Sequence, residues 1–232
     1  MFRVGASFVD PDDDGNLDFR GYREFFPDDD FLVDDDFRFG FDVDDEWTWN
    51  FTAGFMPIDH FMVEVGYIGE SDHDVKLKGV PVFNDDLQVI DRRNVSVGDL
   101  ERWSGFVNFN WFPVCPESWV QPYVGVGINY SEYDDQNVRV GIDDFLVDFA
   151  GGVEPANGRI FYEDDWGWNA QVGIDIMFGR NSSWLVNGAI MYMDAEVEGD
   201  LHYNIGAPFV NAVRSSFDFD PWVYNIGIGY KF

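Results

Sequence analysis

The sequence predicts an all-β protein: a single-domain, eight-stranded antiparallel transmembrane β-barrel spanning residues 1–232. Three observations support this prediction. Eight segments alternate large apolar residues with small or polar ones, the connections between them alternate in length, and the apolar faces are almost free of charge. Successive side chains of a strand point to opposite faces, so this alternation gives one face for lipid and one for the barrel interior.

The closing segment, residues 221–232, shows the two faces most clearly. One face is large and apolar and ends on an aromatic residue: Trp222, Tyr224, Ile226, Ile228, Tyr230 and Phe232. The other face is small or polar: Val223, Asn225, Gly227, Gly229 and Lys231. This asymmetry is typical of a strand between lipid and a polar lumen.

Seven earlier segments show the same division. In chain order, their apolar faces consist of Phe and Val in 2–8, Phe and Trp in 37–55, Val with Phe and Tyr in 61–68, Trp with Val and Phe in 103–111, Val and Ile in 120–131, Trp and Ile in 166–176, and a run from Trp184 in 184–194. Crossing the bilayer core takes about 9–11 tilted residues, a length that the apolar faces reach or closely approach.

The connections between the segments alternate between long and short. The short ones lie at 58–60, 113–118 and 179–183, and the long ones at about 10–36, 70–100, 134–164 and 196–218. Outer-membrane barrels have short periplasmic turns and long extracellular loops. We therefore expect short periplasmic turns, four long acidic extracellular loops and, because the strand number is even, both termini on the periplasmic side.

The formal net charge is −30 at pH 7, from 44 Asp and Glu against 14 Lys and Arg. Acidic runs such as 12–14, 28–30, 34–36 and 134–135 crowd the long connections. This acidity argues against nucleic acid as a partner, because its phosphates would be repelled. The aromatic share of 19% argues against a disordered acidic chain. Two explanations of the charge stay open: adaptation to high salt, and loops that hold divalent cations.

The predicted location is the outer membrane of a Gram-negative bacterium. No apolar run reaches the roughly 18 residues of a membrane-spanning helix, but a closed barrel also satisfies every backbone group in lipid. The first residues lack the basic and apolar regions of a signal peptide, so we expect the mature chain of an exported protein. The single Cys115 has no internal disulfide partner.

Charged and apolar residues both fall on faces predicted to point inward. The charged ones are Arg3, Glu64, Asp175 and Lys231. They either set ion selectivity or form a paired network that fills a narrow barrel, since unpaired charges there would be costly. The apolar ones are Met62, Ile68, Phe106, Leu185, Met191 and Met193. They either line a path for apolar ligands, which flexible methionines suit, or fill the interior.

A partial calcium motif lies in the first long connection. Asp10, Asp12 and Asp14, followed by Gly15, match the first half of a calcium-binding loop, but Gly21 stands where the closing acidic ligand belongs. A Ca²⁺ site and a solvated acidic loop both stay open. The three histidines have no zinc-ligand spacing, and no nucleophile elbow or phosphate loop is present. We therefore expect no enzyme activity and no other cofactor.

Four stretches resemble the OmpW/AlkL family of small outer-membrane barrels: 121–130; 166–167 with 171–175; 184–187 with 192–194; and 220–232. The resemblance implies a narrow, largely apolar channel for passive uptake of small hydrophobic molecules, which leave sideways through the barrel wall. Two pore-narrowing positions of the family, usually Trp and Leu, correspond to Met191 and Gly66. Gly66 thereby joins the six apolar residues as channel lining.

Two alternatives to a channel stay open. One is a structural or interaction barrel whose acidic loops bind divalent cations or lipopolysaccharide. The other is a soluble acidic β-barrel from a halophile. For the membrane barrel, the expected partners are membrane lipid, lipopolysaccharide, small hydrophobic solutes and the barrel-assembly machinery. The resemblance implies that the terminal aromatic residue, here Phe232, is the signal to that machinery. We expect a monomer.

Overall fold

The structure, a computed structural model, describes residues 1–11, 40–83, 89–115, 117–134, 136–137, 159–179, 183–204 and 210–232. These residues form thirteen strands: β1 (Phe2–Asp10), β2 (Gly40–Val43), β3 (Glu46–Ile58), β4 (Phe61–Phe83), β5 (Val89–Trp111), β6 (Val120–Tyr133), β7 (Gln136–Asn137), β8 (Arg159–Tyr162), β9 (Asp165–Phe178), β10 (Trp184–Met193), β11 (Glu196–Asn204), β12 (Val210–Asp218) and β13 (Trp222–Tyr230). In this part of the chain, no helix has the length and apolarity needed to cross a membrane.

Eight of the strands form a closed barrel. Their order is β4-β3-β1-β13-β10-β9-β6-β5, and pairing of β4 with β5 closes the ring. All neighbours are antiparallel. The first and last strands pair along their whole length, from Phe2 opposite Tyr230 to Asp10 opposite Trp222. The predicted fold class is therefore confirmed.

The predicted division into two faces is present in the barrel wall. On β13, Ile226 and Ile228 are 60% and 53% exposed, whereas Val223 on the opposite face is buried. The outward surface is a band of Val, Ile, Phe, Tyr and Trp side chains. An exposed apolar band around a closed barrel is the surface that lipid solvates.

A belt of aromatic rings, which we call the girdle, surrounds the barrel near one end. Ring centroids 5.0–6.2 Å apart connect residues from all eight barrel strands. The girdle consists of Phe8, Trp47, Trp49, Tyr67, Trp103, Tyr130, Trp166, Trp168, Tyr192, Trp222 and Tyr224. Such rings mark the membrane–water interface.

The strands continue past the girdle as long hairpins. β4 and β5 have 23 residues each, about twice the number that crosses a bilayer. Four further strands form a second sheet of order β12-β11-β8-β7. We call this end of the barrel the hairpin end. The opposite end, with both termini and the short connections, is the turn end.

These hairpins correct the predicted loops. Residues 70–100 were predicted as a loop, yet all except 84–88 lie in β4 and β5. The connection 196–218 contains β11 and β12, and 134–164 contains β7 and β8. The prediction relied on alternation between apolar and polar residues. Beyond the membrane the outer face meets water and need not be apolar, and register shifts in β4 and β5 move side chains between the faces, so the alternation fades although the strands continue.

Candidate functional site: the barrel interior

The inward side chains form three layers along the barrel axis. At the turn end, the lower cluster consists of Met62, Phe112, Tyr123 and Ala189, packed against Met1 and Met56. Above it lies the charged layer, which is built on Arg3, Glu64 and Asp175. Toward the hairpin end, the upper cluster consists of Val9, Val43, Ile68, Val75, Leu100, Phe106, Tyr133, Met191, Met193, Ala195, Val197, Phe219 and Val223.

The charged layer is a compact ion-pair network. The Arg3 guanidinium donates from Nε to Asp175 Oδ1 at 3.1 Å and from Nη2 to Oδ2 at 2.6 Å. Its Nη1 donates to Glu64 Oε2. Arg3, Glu64 and Asp175 are 4%, 1% and 0% exposed. A two-bond guanidinium–carboxylate pair fixes both partners in one plane, which limits the cost of burying them.

Neutral side chains complete the charged layer. Asn187 Nδ2 donates to Asp175 Oδ1 at 2.8 Å and to the Tyr123 hydroxyl at 3.1 Å. Gln171 Nε2 donates to Glu64 Oε1 at 3.1 Å and to Asn110 Oδ1 at 2.8 Å. Both carboxylates are thus held by an arginine and an amide. Of the two sequence-based interpretations, this geometry fits the paired network that fills the barrel.

The space left beside the charged layer is small. A cavity of about 20 Å³ is lined by Arg3, Asn50, Glu64, Phe106 and other inward residues, which is room for about one water molecule. Lys231, the fourth predicted lumen charge, lies half-buried at the turn end, where its backbone N–H donates to Ser183 O at 2.7 Å.

The lower cluster fills the turn end of the barrel. The Met62 sulfur lies 2.4 Å from where a Cβ of Gly54 would be, and the Tyr123 ring lies 2.4 Å from the same position on Gly173. Glycine on a neighbouring strand therefore makes room for each large side chain. Leu185, which was also predicted to line a channel, is fully buried and touches the position of a Gly229 Cβ.

At Gly66, the missing side chain is replaced by the ring of Phe106. The two residues are paired across β4 and β5, and a Cβ on Gly66 would lie 2.1 Å from the Phe106 ring. The ring therefore already fills the space where the family resemblance places a leucine. The bulk at this level of the barrel comes from the neighbouring strand.

The remaining predicted lining residues meet in the upper cluster. Ile68, Met191 and Met193 are buried there with Phe106. The Met191 sulfur lies 4.0 Å from Asn108 Nδ2, and the Met193 sulfur lies 3.7 Å from Arg102 Nη2. Met62 therefore lies in the lower cluster, below the charged layer, whereas Ile68, Phe106, Met191 and Met193 lie in the upper cluster.

Arg102 is a buried cation that the sequence-based prediction missed. It is 2% exposed. It donates from Nε and Nη2 to Ser131 Oγ at 3.3 and 3.1 Å, and its guanidinium carbon lies 5.0 Å from the Phe219 ring centre. No described carboxylate forms an ion pair with it. The sequence does indicate that Arg102 points inward, because Arg102 lies two residues before inward-facing Ser104. It was missed because the predicted strand began at residue 103.

The calcium prediction falls mostly outside the described residues. Asp10 ends β1, exposed and opposite Trp222, whereas Asp12 and Asp14 are not described. Among the residues that the structure describes, no three His, Cys, Asp or Glu side chains are grouped to hold a metal ion. The calcium site stays a prediction.

The geometry defines a class of protein. A closed barrel of eight antiparallel strands, with an apolar outer band, an interfacial girdle and polar groups turned inward, is the architecture of outer-membrane barrels. The OmpW family model matches residues 34–232. The chain belongs to the OmpW family, and its place is the bacterial outer membrane.

Individual relatives agree with this assignment. The chain is 33% identical over 122 residues to outer membrane protein W of Escherichia coli (strain K12), a match covering 53% of this chain and 50% of that protein. It is 29% identical over 127 residues to outer membrane protein W of Salmonella typhi, covering 53% and 50%. The chain spans about half the length of the curated relatives it matches.

Two solved structures share the fold. The crystal structure of OprG from Pseudomonas aeruginosa superposes with a TM-score of 0.73 at 25% identity, covering 100% of this chain and 94% of that one. The solid-state NMR structure of AlkL in lipid bilayers superposes with a TM-score of 0.56 at 14% identity, covering 100% and 89%.

Proposed function

We propose that this chain is a channel for passive uptake of small hydrophobic molecules, with release sideways into the membrane. The observation that supports this most is the order of the layers. An apolar, methionine-containing upper cluster faces the hairpin end, and a paired charged layer lies beneath it. The upper cluster can accept apolar guests because methionine side chains adapt to varied shapes.

The layers also favour a sideways exit. A solute that reaches Phe106 would next meet the Arg3 network and then the packed lower cluster. Displacing these paired charges would leave them unsatisfied in a medium of low dielectric, which costs several kcal/mol per ion. Lipid on the other side of the barrel wall offers an apolar solute an environment as favourable as the upper cluster.

Uptake by this route needs no catalytic step and no energy source. Lipopolysaccharide forms the barrier to apolar solutes in the outer leaflet, and its charged surface is what a hydrophobic molecule must bypass. Transfer from water to lipid is downhill for such a molecule. A path past the surface is therefore sufficient for uptake.

Met191→Trp tests the path through the upper cluster. Met191 is fully buried on β10, so the larger indole should obstruct the interior and slow entry of an alkane-like solute into proteoliposomes by about tenfold or more, a barrier increase of about 1.4 kcal/mol. Ile190→Trp is the matched control, because Ile190 is the adjacent residue and is 40% exposed on the outer face.

The control variant should transport at the wild-type rate. If Met191→Trp folds, as judged by its mobility shift on heating, and transports as fast as Ile190→Trp, the proposed path is wrong.

A second candidate function, docking of lipopolysaccharide through divalent cations, has one observation in its favour. Exposed carboxylates follow the girdle directly, among them Glu46, Asp164 and Glu196. They would repel lipid phosphates unless a cation bridged the two groups. We expect Ca²⁺ to protect the hairpins from proteolysis only when lipopolysaccharide is present; equal protection with and without lipopolysaccharide would count against docking.

A further inference from the structure

We infer that Arg102 is the anchor for the head group of an anionic amphipath, and that the substrates of this barrel include medium-chain carboxylates. This inference deepens the proposed function, and it rests on that function for the entry of the ligand. It starts from Arg102 itself, which is buried beside Met193, a member of the upper cluster.

The guanidinium has donors to spare. Nε and Nη2 share the single acceptor Ser131 Oγ, and Nη2 also approaches the Met193 sulfur, a weak acceptor. Nη1 makes no hydrogen bond to a described residue. An arginine that is always charged and lies in a site of low dielectric gains more from a carboxylate than from neutral acceptors.

A second hydrogen-bonding group, the hydroxyl of Tyr133, lies at the same level. Tyr133 is directly opposite Arg102 in the β5–β6 pair and is 4% exposed. Its buried hydroxyl faces Arg102 and Ser131 but forms no hydrogen bond of standard geometry with a described residue. The guanidinium and the phenol together present donors on neighbouring strands, and a carboxylate with two oxygens can accept from both.

Apolar side chains surround the head-group position. Arg102 packs over the Phe219 ring and against Met193. Phe106 lies four residues further along β5, roughly 13 Å at the rise of a strand, which is the length of a medium-chain alkyl tail. The tail would lie among Met191, Met193 and Phe106, which belong to one cluster, with its charged end at Arg102.

The acidity of the hairpin end does not exclude an anion. At physiological ionic strength, the Debye length is about 8 Å, so exposed carboxylates act over a short range. Arg102 is separated from solvent, so salt screens its attraction for an anion much less than it screens the repulsion from the exposed carboxylates.

Decanoate is the probe, with decanol as its neutral match. Binding to the wild-type barrel in nanodiscs of zwitterionic lipid is measured through the ¹³C signal of a labelled carboxylate or carbinol carbon. We expect Arg102→Met to weaken decanoate binding at least about tenfold and to leave decanol binding unchanged. Arg93→Met, which removes an exposed arginine from the same strand, should bind decanoate like the wild type.

Stability provides a second readout. Arg102→Met should leave the urea midpoint unchanged or raise it, because replacing a buried charge that has no carboxylate partner among the described residues by an apolar side chain relieves a burial cost. A marked loss of stability in Arg102→Met would show that a carboxylate of this chain already pairs with Arg102, and it would overturn the inference. Equal decanoate binding in wild type and Arg102→Met would also overturn it.

Two outcomes distinguish the Arg102 binding site from the channel. If neutral solutes do not cross but decanoate binding depends on Arg102, the channel proposal fails and the binding site stands. If neutral solutes cross and decanoate binds without regard to Arg102, the anchor is wrong and the channel stands.

Discussion

Arg3 makes the ion pairs of both buried carboxylates in the charged layer. The sequence placed all three of these charges on inward faces, because each belongs to a regularly alternating strand. A paired network was one of the two interpretations, but the partners of Arg3 could not be predicted. They depend on how β1, β4 and β9 face one another across the lumen. Arg102 was missed for a related reason: it lies one residue before the predicted start of its strand.

Arg3→Met should destabilise the barrel by about 3–5 kcal/mol, because two carboxylates would remain buried without their cation. Equilibrium unfolding in urea, followed by gel mobility without heating, measures this loss. The control is the triple variant Arg3→Met, Glu64→Gln and Asp175→Asn, which keeps the shapes without the charges. The triple variant should recover most of the stability; if it is as unstable as Arg3→Met alone, packing and not charge explains the effect.

At the scale of strands, the membrane-spanning parts were predictable and the hairpins were not. In β13 and β10 every second side chain meets lipid, so the alternation is strict. In β4 and β5 the alternation is interrupted by register shifts between Ile68 and Ser71 and again beyond Val75. A bulge moves side chains to the other face, so no simple periodicity could mark residues 70–100 as strand.

His73 connects the β4–β5 hairpin to the rest of the barrel. It lies beyond the girdle and is fully buried. Its Nδ1 lies 2.7 Å from Asp44 O and its Nε2 lies 2.9 Å from Ser71 Oγ. This fits a tautomer in which Nδ1–H donates to the carbonyl and Nε2 accepts from the hydroxyl. Burial lowers the pKa of His73 below its usual value.

The hairpin should therefore loosen in mild acid. A histidine whose pKa is lower in the folded state stabilises fully above its unfolded pKa of about 6.5, and that stability is lost as the pH falls, by at most about 1.4 kcal/mol per pH unit. Hydrogen exchange of the hairpin amides at pH 7.5 and 5.5 measures this. In His73→Gln the pH dependence should shrink; an unchanged dependence would assign it to the hairpin carboxylates instead.

At the scale of the whole molecule, the barrel is a lipid-facing wall around an interior that changes from apolar to charged along its axis. The sequence predicted the wall, because the two-residue period records which face meets lipid. It predicted the inward residues only as an unordered set. Met62 lies below the charged layer and Met191 above it because neighbouring strands are staggered along the barrel axis. The sequence of one strand does not contain this stagger.

If the interior is a channel for apolar solutes, it should admit them and exclude water-soluble ones. The most direct test records, in one proteoliposome preparation, the entry of an alkane-like fluorophore and of a small hydrophilic solute of similar size. The layers predict that the barrel accelerates the apolar fluorophore and leaves the hydrophilic solute at the rate of empty liposomes. Accelerated entry of the hydrophilic solute, with no acceleration of the apolar one, would show that the interior conducts water-soluble molecules and is not a channel for apolar ones.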